Sequence, residues 1–166
     1  GPAESNIESK IMVESITYKG IKLTPDTFSL SQINLTWAID QIDQVGLLPL
    51  LVRVKLSEIR AVAQLPVGNY PYDAVGTVDF ESRTVYLKSG TIWFPFSILP
   101  ATIIHEVWHL RQHDLGILGH YQKQEWPAYM MADLFHVLHG DDLTGTDKEA
   151  YSAAYQMAQS LWPEFR

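Results

Sequence analysis

Alternating apolar and polar residues in the first half of the chain predict short β-strands. Residues 11–23 mix β-branched and polar side chains around Lys19-Gly20, which favours a strand or a short hairpin. Residues 75–87 hold two β-type runs on either side of a turn, so we expect a hairpin there. The alternation within residues 50–59 predicts a further strand.

Apolar residues at helical spacing predict four helices. The first covers residues 31–45, with Ser31 as its N-cap and Gly46 at its end. Three more helices follow one another in the second half of the chain, over residues 100–114, 122–138 and 146–161. Because strands and one helix precede three helices, the sequence predicts an α+β fold with helices on one side of a small sheet.

The length of 166 residues suits one compact domain, and the 46% of apolar residues is enough for a core of its own. Gly1-Pro2 is typical of the scar left when a purification tag is cleaved, and we expect residues 1–10 to be this scar and a frayed terminus. Residues 11–166 are then a single domain, which could have been cut from a larger parent protein.

Charge and residue usage exclude several classes of function. A net charge of −7 without a cluster of Lys and Arg makes the chain a poor binder of nucleic acid. The absence of cysteine excludes disulfides, Cys-type zinc sites, a Cys nucleophile and iron–sulfur clusters. The longest apolar run, residues 92–104, is interrupted by two prolines, so we expect no membrane span. Nothing here fixes the compartment in which the protein acts.

All six histidines lie within residues 105–139, and the first two belong to the sequence His105-Glu106-Val107-Trp108-His109. This is an HExxH motif. Residues i and i+4 lie on one helix face, so both imidazoles can point at one metal ion, for which Zn²⁺ is the usual choice. Glu106 projects beside the metal, where it can take a proton from an activated water. One Zn²⁺ per chain is the predicted cofactor.

A catalytic zinc ion usually has three protein ligands, and Glu125 is the predicted third. It lies at the start of the next helix, after two glycines that let the chain turn back. The competing ligands are His113, His120, Asp114 and Asp133. Asp133 is more plausible as an acceptor for the free N–H of a ligating histidine.

These residues resemble the zincin metallopeptidases, and the arrangement of HExxH followed by a glutamate on the next helix is similar to that of the gluzincins. The match covers about residues 98–138. The resemblance implies that His105, His109 and Glu125 bind zinc and that Glu106 is the general base. The glycine and third histidine of the metzincins are absent, and Tyr129 occupies a position at which larger gluzincins often have aspartate. The likeness is therefore to minimal gluzincins, which include domains attached to bacterial toxins and secreted effectors.

The resemblance also implies a small twisted sheet above the HExxH helix, with an edge strand that binds an extended peptide or protein substrate. Residues 75–78 and residues 84–87 are both candidates for that strand. A donor for the oxyanion of the transition state is expected near the metal. The candidate donors are His120, Tyr121 and Tyr129.

The sequence therefore predicts a zinc metallopeptidase. Two other interpretations remain open, a non-catalytic domain stabilised by zinc and used for binding, and a zinc amide hydrolase that acts on cell-wall peptides. Glu106 favours an enzyme, because a purely structural zinc site needs no base beside it.

Overall fold

The computed structural model describes residues 14–68, 70–93, 97–117, 119, 121–141 and 148–165, with only the backbone of residues 121, 122 and 148–150. Within this part of the chain there are five strands and five helices. The strands are β1 (Ile16–Tyr18), β2 (Ile21–Thr24), β3 (Glu58–Val62), β4 (Gly76–Asp79) and β5 (Thr84–Lys88). The helices are α1 (Gln32–Gln44), α2 (Leu48–Arg53), α3 (Ile98–Asp114), α4 (Tyr121–His139) and α5 (Lys148–Leu161).

The strands form one mixed sheet in the order β1-β2-β3-β5-β4. The three inner strands β2, β3 and β5 are parallel, and the outer strands β1 and β4 each pair antiparallel with their neighbour. Helices α1 and α3 pack together under this sheet, α4 packs on α3, and α5 packs on α4. The predicted α+β class is confirmed, with the HExxH helix among the helices that support the sheet.

The first hairpin follows directly from its turn residues. Lys19 and Gly20 both have positive φ, 49° and 82°, as a two-residue type I′ turn requires. The turn sets Tyr18 opposite Ile21 and Ile16 opposite Leu23. Leu23 thereby faces the core, where it is fully buried.

The strand predicted over residues 50–59 is wrong in its first half. Residues 48–53 form helix α2, and strand β3 begins only at Glu58. The buried residues of this stretch recur at the helical spacing i, i+3, i+4, i+7, namely Leu47, Leu50, Leu51 and Val54. Val52, which strand alternation would have buried, is 66% exposed, and Pro49 lies in the first turn of the helix.

Helix α3 lies at the centre of the core. Twelve of its 17 residues are buried, which leaves it little surface in contact with water. Its apolar residues, such as Ile103 and Val107, belong to the same core cluster as Ile59 and Val85 of the sheet. A helix buried on nearly all sides must satisfy its polar side chains within the protein. No described helix is long and apolar enough to cross a lipid bilayer.

Of the two strands proposed as the substrate-binding edge, β4 has the edge position. Strand β5 is paired on both sides, whereas β4 pairs only with β5 among the described residues. Gly76 of β4 comes so close to α3 that a Cβ atom there would lie 3.4 Å from Thr102 Cγ2 and 3.5 Å from Glu106 Cγ. These are ordinary van der Waals distances, so strand β4 at Gly76 lies next to the HExxH helix at Thr102 and Glu106.

Arg83 joins the β4–β5 turn to the C-terminal end of α3. Its guanidinium contacts both carboxylate oxygens of Asp114, with Nη1 3.1 Å from Oδ2, and Nη1 also donates to the carbonyl oxygen of Val54 at 2.7 Å. The hydrogen bond and charge of Arg83 hold the pKa of Asp114 below its usual value. This ion pair fixes the hairpin at the end distant from Gly76.

Several sequence predictions concern residues outside the described part of the chain. They include the frayed segment 1–10 and the first two residues, 146 and 147, of the last predicted helix. They remain predictions.

We predict that Asp114→Asn lowers the free energy of unfolding by about 1 kcal/mol at pH 7, because it removes a two-point ion pair at the protein surface. The pKa of Asp114 is lower in the folded protein than in the unfolded chain. Its contribution to the free energy of unfolding is therefore fully present above the ordinary aspartate pKa of about 3.9. The contribution is lost as the pH falls through the lower folded value. Urea unfolding of both proteins at pH 7 and at successively lower pH measures the difference.

The exposed loop residue Asp73 supplies the control, because Asp73→Asn should unfold as the unaltered chain does at each pH. A loss in Asp114→Asn that stayed equally large at the lowest pH would contradict the ion-pair explanation.

Candidate metal centre

Helix α3 presents His105 and His109 on one face, one turn apart. Their Nε2 atoms lie 3.3 Å from each other, and their rings meet edge to face with centroids 5.0 Å apart. His105 is only 8% exposed. The two imidazoles therefore point at one shared position, as the i, i+4 spacing predicts.

Helix α4 brings Glu125 to the same position. Its Oε1 lies 2.7 Å from Nε2 of His109, and its Oε2 lies 3.4 Å from Nε2 of His105. One turn later, Ala128 is fully buried. Its small side chain lets α4 approach α3 closely, which brings the carboxylate within reach of both histidines.

These three side chains fit a zinc ion in chemistry and in spacing. Their ligand atoms all lie within 4.8 Å of one another, and they are the one such group of three among the described residues. A tetrahedral site with bonds of about 2.0–2.1 Å has neighbouring ligand atoms roughly 3.3–3.4 Å apart. The distances of 3.3 Å and 3.4 Å that involve His105 match this spacing. The shorter distance from Glu125 to His109 would have to widen slightly.

The charges of the group are strongly coupled. Hydrogen bonds from His105 and His109 hold the pKa of Glu125 far below its usual range, so this carboxylate is ionised. Burial lowers the pKa of His109, but its hydrogen bond to Glu125 and the charge of Glu106 outweigh burial and raise it. An ionised carboxylate against two imidazoles is a donor set suited to a divalent cation.

Glu106 lies beside the three candidate ligands without joining them. Its Oε1 is 4.0 Å from Nε2 of His105, and the residue is 8% exposed. Burial raises the pKa of this carboxyl, while the two histidines oppose that shift. A buried carboxyl with a raised pKa next to a metal site is well suited to accept and return a proton.

Gln112, which is not among the residues predicted from the sequence, contacts the site and is 2% exposed. Its Oε1 lies 2.8 Å from Nδ1 of His109, and its Nε2 donates to the carbonyl oxygen of Gln124 at 2.9 Å. Gln112 therefore links a candidate ligand on α3 to the residue that precedes Glu125 on α4. The signal in the sequence was its i+3 spacing from His109, which places both on one helix face.

Of the predicted oxyanion donors, Tyr129 is at the site. It lies one turn after Glu125, and its ring meets that of His105 at a centroid distance of 4.5 Å. Tyr129 is 49% exposed, so one side of the ring faces the cleft. His120 and the side chain of Tyr121 lie outside the described residues.

Asp133 lines the same cleft farther along α4, and burial raises the pKa of its carboxyl. No hydrogen bond joins it to His105 or His109 within the described residues. The amide oxygen of Gln112 lies 2.8 Å from Nδ1 of His109, the ring nitrogen for which Asp133 was the predicted acceptor.

The remaining described histidines make other contacts. His113, a competing third ligand in the sequence analysis, stacks on Phe80 with ring centroids 4.6 Å apart. Asp114, another competitor, pairs with Arg83. His136 and His139 both contact Asp141 at the C-terminal end of α4, at 2.8 Å and 2.9 Å.

The three candidate ligands line a cleft of about 1240 Å³. Its walls are strand β4, helices α3 and α4, and residues 66–68, 70–71 and 73–75 of the loop between β3 and β4. Pockets for small molecules typically measure roughly 300–1,000 Å³. The cleft is therefore large enough for an extended ligand such as a segment of peptide.

The chain matches no protein-family model, and no curated protein or solved structure matches it. A function for this chain therefore has to come from the chemistry of its own residues.

We predict that the purified protein binds one zinc ion per chain and that His109→Ala and Glu125→Ala weaken this binding. Loss of a ligand should cost at least the roughly 10–100-fold in affinity that is typical for loss of a residue supporting a ligand. Elemental analysis gives the stoichiometry, and competition with a coloured chelator gives the affinity.

His113→Ala is the matched control, because this histidine lies on the same helix but stacks on Phe80. It should bind zinc as the unaltered chain does. If His113→Ala lost zinc binding while Glu125→Ala kept it, the third ligand would be His113 and not Glu125.

Proposed function

We propose that this chain is a zinc-dependent metallopeptidase of the minimal gluzincin type. The observation that carries the proposal is the position of Glu106, a buried carboxyl that lies next to the convergence of His105, His109 and Glu125 but outside it. A zinc site that only stabilises a fold has no use for such a group. A hydrolase needs a base there.

The residues divide the work of peptide hydrolysis between them. His105, His109 and Glu125 would hold the zinc ion, which when bound supplies a Lewis acid that polarises the scissile carbonyl and makes water acidic at neutral pH. Glu106 accepts a proton from the attacking water and delivers it to the nitrogen of the leaving amine. Its burial supports this role, because a raised pKa brings the carboxyl closer to the working pH.

Strand β4 supports binding of an extended substrate. It lies at the edge of the sheet, and residues 76–79 line the cleft. A peptide that pairs with this edge as a further strand would run past Glu106, because Gly76 lies directly against that side chain. Main-chain hydrogen bonds of this kind hold any extended peptide, so side-chain selectivity must come from the walls of the cleft.

The charge of those walls favours basic or neutral substrates. Besides Glu106 and Glu125, the cleft is lined by Asp73, Asp79 and Asp133. No Lys or Arg is found among its described lining residues. A cleft with charges of one sign attracts ligands of the opposite sign.

Tyr129 is the donor we assign to the developing oxyanion. It is one turn from Glu125, touches His105 and lines the cleft. A phenol O–H aimed at the carbonyl oxygen would stabilise the negative charge that forms there during attack by water.

We predict that Glu106→Gln keeps the zinc ion but lowers kcat by at least about 10²–10⁴-fold, because glutamine cannot take the proton from water. Turnover is measured by mass spectrometry on a library of mixed peptides, with metal content determined on the same samples. The exposed Glu81 on the β4–β5 turn provides the matched control, and Glu81→Gln should keep full activity.

Normal turnover in Glu106→Gln would exclude the general-base role. If the unaltered chain bound zinc but cleaved no peptide in the library, a non-catalytic zinc-stabilised domain or a hydrolase of cell-wall amides would replace the present proposal.

We predict that Tyr129→Phe lowers kcat by about 10²–10³-fold, with little change in KM or in zinc content, because the donor acts only in the transition state. Steady-state kinetics on one peptide cleaved by the unaltered chain provides both constants. Tyr72→Phe, at a fully exposed residue beside the cleft, is the control. A change in KM alone would make Tyr129 a substrate-binding residue instead.

A further inference from the structure

We infer that Gln112 is a positioning residue for the candidate metal centre, which fixes the tautomer and orientation of the His109 ring and joins the two helices that carry the ligands. This inference rests on the proposed zinc site, and it concerns a residue that the HExxH motif does not include. Three features of Gln112 support this role: the side chain is buried, it has two hydrogen-bond partners, and these partners fix the orientation of its amide.

The amide of Gln112 can have only one orientation. Its partner on one side is the carbonyl oxygen of Gln124, which can only accept, so the Gln112 NH₂ group must face that oxygen. The amide oxygen is then the atom 2.8 Å from Nδ1 of His109. The chemistry of the partners thus fixes an assignment that a side-chain amide by itself leaves ambiguous.

This orientation dictates where His109 carries a proton. The amide oxygen can only accept, so Nδ1 of His109 must be the donor. Nε2 is the remaining ring nitrogen, and it points at Glu125 and His105. When zinc takes the place of a proton on Nε2, the ring already has the tautomer that a metal-bound imidazole needs.

The other end of Gln112 controls the approach of α4. Its hydrogen bond to the Gln124 carbonyl holds the backbone immediately before Glu125. The side chain of Gln124 continues the link by donating to the carbonyl oxygen of Ile117 at 3.0 Å, in the connection between α3 and α4. One buried side chain therefore sets both the ring of one ligand and the distance to another.

Burial makes Gln112 hard to replace. At 2% exposure, no water can easily take over its two hydrogen bonds. An apolar side chain would leave Nδ1 of His109 without its acceptor and would remove the hydrogen bond that links α3 to the Gln124 carbonyl. A glutamate would keep the acceptor for Nδ1 but would lose the donor to Gln124.

The test compares zinc affinity in Gln112→Met and Gln112→Glu with that of the unaltered chain, by competition with a chelator. Gln112→Met should bind zinc about 10–100-fold more weakly, the usual cost of removing a residue that supports a ligand. Gln112→Glu should recover most of that loss, because it retains the acceptor for Nδ1. Gln44→Met, at an exposed glutamine on α1, should bind zinc normally.

Nuclear magnetic resonance of the histidine rings supplies a readout independent of activity. In the zinc-loaded, unaltered chain, we expect a slowly exchanging Nδ1–H signal from His109, close in space to the Gln112 side chain. That signal should persist in Gln112→Glu and exchange rapidly in Gln112→Met. A ring that binds zinc through Nδ1, or a folded Gln112→Met with unchanged zinc affinity, would overturn the inference.

Failure of the inference can be told apart from failure of the proposed function. A chain that binds zinc normally in every Gln112 variant keeps the metal site and loses only the positioning role. A chain that binds no zinc at all removes the metallopeptidase proposal, and the Nδ1–H signal of the metal-free protein then decides whether Gln112 holds the ring. If Gln112→Met does not fold, the positioning role is tested by the zinc affinity of Gln112→Glu and by the His109 Nδ1–H signal of the unaltered chain.

Discussion

The burial of polar side chains on helix α3 is the constraint on which the rest of the structure depends. His105, Glu106 and Gln112 are each less than 9% exposed, on a helix surrounded by the sheet and by two other helices. Burying a polar group without a partner costs free energy of about 1–3 kcal/mol, and more for a charge. The fold meets this cost by directing these groups at one another and at α4. The same arrangement assembles the candidate metal centre.

Helix α3 is held at both ends of its contact with the edge hairpin. Near the site, the backbone of β4 at Gly76 lies next to Thr102 and Glu106. At the far end, Arg83 ties the hairpin turn to Asp114. These two contacts position the edge strand relative to Glu106. The packing of β4 on α3 therefore sets the distance between these two walls of the cleft.

The parts of the site that depend on local sequence spacing could be predicted from the sequence. The spacing of His105 and His109 and the return of the chain to Glu125 follow from helix geometry and two glycines, and the structure brings all three together. The α+β class followed from the order of the elements. Residues 48–53 were predicted as part of a strand because a short apolar run fits both the alternation of a strand and the spacing of a helix. Only the buried residues, which recur three and four positions apart, identify the helix.

Other features depend on tertiary contacts that no local pattern encodes. The choice of β4 over β5 as the edge strand is set by the parallel pairing of β5 with β3, between residues 26 positions apart such as Ile59 and Val85. Gln112 could be placed on the face of His109 from its spacing. Its second partner, the carbonyl of Gln124, is a backbone group whose position depends on how α4 packs.

The separation of Glu106 from the donor set follows from the helix itself. Successive residues on an α-helix point about 100° apart, because 3.6 residues complete one turn. His105 and His109, four residues apart, share the face that meets Glu125 on α4, whereas Glu106 is turned toward β4 and Gly76. The adjacent position in the motif therefore places a carboxyl at the β4 wall of the cleft, beside the three candidate ligands but outside their group. A glutamate one residue earlier or later would face another direction, so the HExxH spacing determines that this carboxyl lies beside the candidate ligands and not among them.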